Sequence, residues 1–354
     1  MSPAFRRFLA EDGGRLAQTP GRFLALGAFG KHPGWDDHIE DLGLETETLA
    51  LARKVLYVEG VGGQIDKGAW EKLPPTMRLE DFNHTFVWQR SNQFLIGRIW
   101  SSVDGKGRAR YPMVVCAHYS GATLSWGLER ALPKLVELEL SCRAAKTAAE
   151  VRALLDRART ALRGLLSQAG PNSHPAAPAP DALKRFVDDA VFGPNQQGWQ
   201  RIIYDLQNRM ASFTTAKFDP KDATAWAQHT RVPVAAGSPE QALLLWNEFF
   251  ATRIDRQVPT LFIRASGRPW LDVICGEPSS AEFFCLRALP DALPLATEVP
   301  YELDDAFKSR AKRILADFQN ADGLESLGQS GAEETSSGGW SSFTQRWFRG
   351  KGSH

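Results

Sequence analysis

The sequence predicts an α/β fold in which antiparallel sheet is covered by helices. Three observations carry that prediction. Residues 82–88 and 94–100 alternate with a period of two. Phe82, His84, Phe86 and Trp88 share one face of the first run; Phe94, Ile96, Arg98 and Trp100 share one face of the second, with Leu95 and Ile99 opposite. Such alternation marks strands, and the joint Arg90-Ser91-Asn92 suits a hairpin. Residues 124–140 and 145–166 instead carry apolar residues at helical spacing, with Leu154, Leu155, Ala158, Leu162 and Leu165 forming a core-facing stripe. Finally, the run GPNSHPAAPAP over 170–180 can continue neither helix nor strand. It divides the chain into two lobes, 1–169 and 181–318, each long enough to hold a sheet covered by helices.

In chain order, residues 1–10 fit one or two helical turns with Phe5, Phe8 and Leu9 on one side. The apolar run 23–28 predicts the first strand. It breaks at Gly27, Gly30, Pro33 and Gly34, in a loop that packs Lys31, His32, Trp35, Asp36, Asp37 and His38 into eight residues. A Leu/Ala-rich helix is expected over 45–57, stopped by Gly60, Gly62 and Gly63. After the hairpin, a turn over 104–108 leads to a third strand over 111–118. Beyond the linker, helical patterns recur over 181–191 and 199–210. Ser238-Pro239-Glu240-Gln241 is a strong helix start: Ser caps, Pro takes the first helical position, and Gln lies three on from the cap. That helix should run to 252. Paired strands are expected over 259–265 and 270–275, a second capping box at Ser279 to Glu282 opening a short helix, and a closing helix over 301–318. From 319 to 339 the composition turns to Gly, Ser, Glu and Ala, which predicts disorder and opens a flexible tail over 319–354. It ends in Trp340, Phe343, Trp347 and Phe348 interleaved with Arg346. Three of those aromatics sit at i, i+3 and i+7.

Composition excludes several classes. A chain of 354 residues is long enough for two domains and a tail, and 43% apolar with 23% charged residues is globular. The net charge of +1 supplies no whole-protein field for nucleic acid or an anionic membrane. No apolar run approaches a membrane span, and acidic Glu11 arrives too early for a secretory leader. Cys116, Cys142, Cys275 and Cys285 show no paired spacing, as expected of thiols in a reducing cytoplasm.

The loop over 24–39 invites several chemistries. Gly30-Lys31 suggests a phosphate loop, but Ala25 stands where Gly is required, and His32 where Ser or Thr would hold magnesium. His32, Asp36, Asp37 and His38 are metal-ligand types within seven residues; the alternative is that an Asp caps the turn and the His residues bond locally. Ser102 and Asp104, two apart at a strand end, would need His118 as a base, and no nucleophile elbow surrounds them. Lys106, Arg108 and Arg110 read as a solvated hairpin end. The aromatic and basic tail could dock into a partner, fold back onto this protein, or lie on an anionic membrane.

Two stretches carry a resemblance. Phe29-Gly30-Lys31-His32-Pro33, followed by Asp37, is similar to the N-terminal signature of the TagF family of type VI secretion-associated proteins: Phe-Gly-Lys-Leu-Pro, three residues, then Asp. Ser102-Val103-Asp104-Gly105-Lys106-Gly107-Arg108, then Tyr111-Pro112, is similar to that family's second signature: Ser-Val-Asp, two residues, Gly-Arg, then an aromatic-Pro pair. The likeness covers 23–120 and weakens toward 165. His32 replaces an apolar residue, Trp35, Asp36 and His38 replace other types, and one extra residue precedes Tyr111. The resemblance implies a longin- or profilin-type α/β sandwich without enzymatic activity or cofactor. It implies a cytoplasmic accessory role in secretion assembly through a forkhead-associated scaffold protein. Lys31, Asp37, Asp104 and Arg108 are the positions that carry over.

The residues themselves agree in one respect. Both signatures fall at strand ends and both mix a cation with a carboxylate. Lys31 with Asp104, and Arg108 with Asp37, can join the loop to the hairpin end, either as a structural brace or as a contact surface. The expectation is therefore a non-enzymatic adaptor or regulator of a bacterial multi-protein assembly. It would recognise a protein partner through the 29–38 loop, with Trp35 and His32 alongside the charged four. The tail would be a second contact that could also reach the inner membrane, and no nucleic acid is involved. The alternative is a metal-dependent hydrolase or phosphatase using His32, Asp36, Asp37 and His38.

Overall fold

Seven strands form one antiparallel sheet in the computed structural model, which describes residues 21–169, 178–214, 217–218, 226–235, 237–300 and 302–320. The strands are β1 (Phe23–Gly30), β2 (Asn83–Arg90), β3 (Gln93–Ser101), β4 (Pro112–Ser120), β5 (Gln228–Pro233), β6 (Thr260–Ala265) and β7 (Trp270–Cys275), in the order β1-β4-β3-β2-β6-β7-β5. The N-terminal turns, linker residues 170–177 and the tail from 321 lie outside the described residues. Trp340, Phe343, Arg346, Trp347 and Phe348 are among them.

The α/β class with antiparallel sheet is as expected, but the halves do not build separate sheets. β6 from the second half pairs with β2 from the first, placing Ile263 opposite Phe86 and Leu261 opposite Trp88. That pairing buries four large apolar side chains and removes an edge that each half would otherwise expose.

One face of the sheet is covered by α1 (Glu47–Ala52), the chain that follows it, and the turn over 282–286. The other is covered by α2 (Leu132–Ala144), α3 (Ala148–Gln168), α4 (Pro180–Val187), α5 (Gln197–Arg209), α6 (Pro239–Ala251) and α7 (Asp305–Gln319). Helix starts follow their caps. Thr147 and Glu150 form a reciprocal capping box that begins α3. Ser238 caps α6 as expected, its hydroxyl accepting from Gln241 N. Asp304 moves the closing helix to 305, its carboxylate accepting from Phe307 N.

One expectation is corrected and one strand is added. The glycines at 60, 62 and 63 do not stop the first helix. The chain continues through a wide π-helical stretch, Arg53–Gly62, into Gly63–Asp66. At Gly60 a Cβ would lie 2.6 Å from the Phe283 ring, so the missing side chain serves close packing rather than termination. Residues 228–233, unassigned from the sequence, form edge strand β5. Its inward-facing His229 and Arg231 reach Asp272 on β7, and a strand that buries charge lacks the apolar alternation that marks one.

Both outer edges of the sheet are sealed. Along β1, the outward carbonyls of Leu24, Leu26, Ala28 and Gly30 accept from Arg163 (2.9 Å), Arg159 (3.4 Å), Leu42 N (3.2 Å) and Ile39 N (2.7 Å). Along β5, those of His229, Arg231 and Pro233 accept from Arg209 (3.4 Å), Ala296 N (2.8 Å) and Trp246 (2.9 Å). Strand addition by another chain would have to displace these donors.

Candidate functional site

The site is built where β1 ends and β4 begins. Gly30 turns the strand outward with φ of 113°, and a Cβ there would lie 2.3 Å from Pro112 O, so only glycine fits. Lys31 N donates to Pro112 O at 3.1 Å, and Lys31 and His38 bridge across the neck, closing the intervening residues into a tight loop. The second element is the turn after β3. There Asp104 Oδ1 accepts from the backbone N–H groups of Lys106 and Arg108, both at 3.0 Å, while Gly107 takes φ of 76°. Gly105 N donates to Trp35 O at 2.7 Å, tying one loop to the other through backbone alone.

Lys31, Asp37, Asp104 and Arg108 meet at this seam. Lys31 Nζ lies 2.6 Å from Asp104 Oδ2 and 2.8 Å from Asp37 Oδ1. Arg108 donates through Nε to Asp104 Oδ2 at 2.7 Å, and through Nη2 to Asp37 Oδ1 at 3.1 Å and Asp36 O at 2.9 Å. Each cation thus touches both carboxylates. Burial is graded across the four: Lys31 is 4% exposed and Asp104 1%, whereas the Asp37 side chain is 65% exposed. Burial works against charge on Lys31, but the hydrogen bonds to Asp104 and Asp37 outweigh it and raise its pKa. Burial likewise opposes charge on Asp104, yet the Lys31 ammonium and the Arg108 donors hold its carboxyl well below the usual carboxylate range. The Lys31 hydrogen bond also lowers the pKa of Asp37.

Trp35 lies half-buried beside this network, with the Arg152 guanidinium 5.7 Å from its ring centre and the His32 ring edge-on at 5.7 Å. His38 Nδ1 is 3.1 Å from Asp37 Oδ1, and its ring packs edge-on to Tyr57 and Tyr111. This aromatic support from Tyr57 and Tyr111 was not legible in the loop itself, because both residues come from other elements.

His32 is turned away from the other three metal-ligand types. It is 1% exposed, its Nε2 lies 2.9 Å from Cys142 O, and its Nδ1 accepts from Gly34 N at 2.9 Å. Both ring nitrogens are engaged, so neither is free to ligate a metal. Among the described residues, donor atoms come together instead at His229, Asp272 and Cys285. There both Asp272 oxygens already receive the buried Arg231 guanidinium, at 2.8 and 3.0 Å, and a cation holds the place a metal would need. His118 bonds Thr46 Oγ1 at 2.9 Å and Gln93 Oε1 at 2.8 Å, six residues or about 20 Å along β4 from Pro112. It is not placed to serve Ser102. No described helix is long and apolar enough to cross a membrane.

No protein-family model matches the chain, and no curated protein matches it.

Proposed function

We propose that this chain is a non-enzymatic adaptor or regulator of a bacterial multi-protein assembly, with a TagF-like role in type VI secretion or a related system. It docks a protein partner through the 29–38 loop and the 104–108 turn. The observation that carries this reading is the four-residue charge network. It spends two buried charges to hold an exposed loop in one shape, which suits recognition, where preorganisation lowers the cost of binding. Both faces of the sheet are covered and both edges sealed, which favours the loop seam over strand addition. The metal-dependent hydrolase draws no support from His32, whose nitrogens are committed elsewhere.

The resemblance points to a forkhead-associated scaffold protein as the partner, acting in the cytoplasm. Site-specific photocrosslinking tests this. A photoreactive residue in place of Trp35 should capture the forkhead-associated protein of the same organism, and one in place of Val136 on α2 should not. Equal capture from both positions, or none at Trp35, would count against docking at this seam.

A further inference from the structure

We infer that His32 is a pH-released latch on the docking loop: protonating its ring frees the His32–Trp35 half of the loop from the junction of α2 and α3. The inference concerns regulation of the docking surface and rests on that reading for its consequence.

The geometry admits one protonation state. Cys142 O can only accept, so Nε2 carries the proton; Gly34 N–H can only donate, so Nδ1 is bare. A second proton would sit on Nδ1 and face the Gly34 N–H, donor against donor, in a ring that is 1% exposed. The one carboxylate that favours an imidazolium here, Glu150, forms no hydrogen bond to the ring. Lys146, in the turn between α2 and α3, is itself a cation. The Glu150 carboxylate in α3 is committed to the N–H groups of Lys146 (2.7 Å) and Thr147 (3.0 Å). Burial pushes the Cys142 thiol on α2 up to about 12, so it stays neutral. The ring also meets the Trp35 ring edge-on, itself under Arg152. Burial, with Lys146 adding to it, outweighs the Cys142 hydrogen bond and the Glu150 charge and lowers the pKa of His32.

The latch holds something that can move. A Cβ on Gly34 would lie 2.5 Å from Ala148 N, so backbone rests directly on the first turn of α3, and loss of the Gly34 bond undoes that seat. The other end of the loop stays tied, because Asp37 and Asp104 keep their charge at the same pH. Release therefore repositions Trp35 without dissolving the network.

Hydrogen exchange of the full chain without any partner tests this, with rates corrected for intrinsic chemistry between pH 7.5 and 5.5. The opening constant of residues 30–39 should rise by up to about tenfold per pH unit below pH 6.5, through an opening separate from the global unfolding that peptides of β3 report. His32→Gln should abolish the loop's pH dependence. Equal dependence in wild type and variant, or a loop that merely tracks β3, overturns the latch. If His32→Gln fails to fold, NMR titration of the wild-type imidazole decides: its midpoint must match that of loop opening, and a mismatch overturns the inference. Because no partner is present, a negative result leaves docking intact, and a failure of docking leaves this result standing.

Discussion

The ammonium of Lys31 donates to Oδ2 of Asp104 at 2.6 Å, across 73 residues of chain, with both groups almost wholly buried. This contact joins the loop after β1 to the turn after β3, and the exposed members of the network, Asp37 and Arg108, are arranged around it. Two charges are withdrawn from water there, so their value lies in fixing a geometry more than in net stability.

Removing one partner should be costly. Lys31→Met leaves the Asp104 carboxylate buried with only the half-exposed Arg108 as a cation, and should lower unfolding free energy by about 3 kcal/mol in a urea titration. Arg108→Ala, at a side chain 53% exposed, should cost less than about 1 kcal/mol. Equal costs would mean that the burial gradient does not matter.

Two glycines of the site separate strain from contact. Gly107→Ala forces only a positive φ, with open space around the new Cβ, and should cost about 1 kcal/mol. Gly30→Ala adds a collision with Pro112 O and should cost about 3 kcal/mol or more. Thermal melts of the two variants should differ by several degrees, Gly30→Ala being the lower.

Acid should weaken the fold through its buried histidines. Burial pushes His84 and His118 down to about 4 from an ordinary 6.5. The unfolded chain then binds more protons between those values. Their contribution to stability is complete above pH 6.5 and falls as pH drops toward 4, each histidine adding a slope of up to about 1.4 kcal/mol per pH unit. Urea midpoints measured from pH 7.5 to 4.5 should fall along this course, and His118→Gln should make the fall shallower. A flat profile would contradict the neutral, buried assignment.

The fold was legible wherever the signal was local. The hairpin of β2 and β3, the Ser238 cap and the pairing of β6 with β7 each follow from a few neighbouring residues. What the sequence hid was long-range. Gly60 looks like a helix stop until Phe283 is seen against it, and β5 looks like loop until Asp272 is seen to receive its charges. The union of both halves in one sheet rests on β2 meeting β6, which no composition boundary reveals. At the site, the charged four could be named because each lies in a short motif. His32 was harder, since a histidine beside Asp36, Asp37 and His38 suggests a ligand, and only the position of Cys142 O shows it as a buried fastening.

The most direct measurement is calorimetric titration of the chain with the forkhead-associated protein of the same organism, comparing wild type with Trp35→Ala and Asp36→Arg. Asp36→Arg alters the exposed rim of the loop, Trp35→Ala removes its half-buried aromatic ring, and both leave Lys31 and Asp104 in place. Docking at this seam requires wild type to bind and both variants to lose at least about tenfold in affinity, Asp36→Arg at unchanged Tm. Undiminished binding by both variants would contradict it.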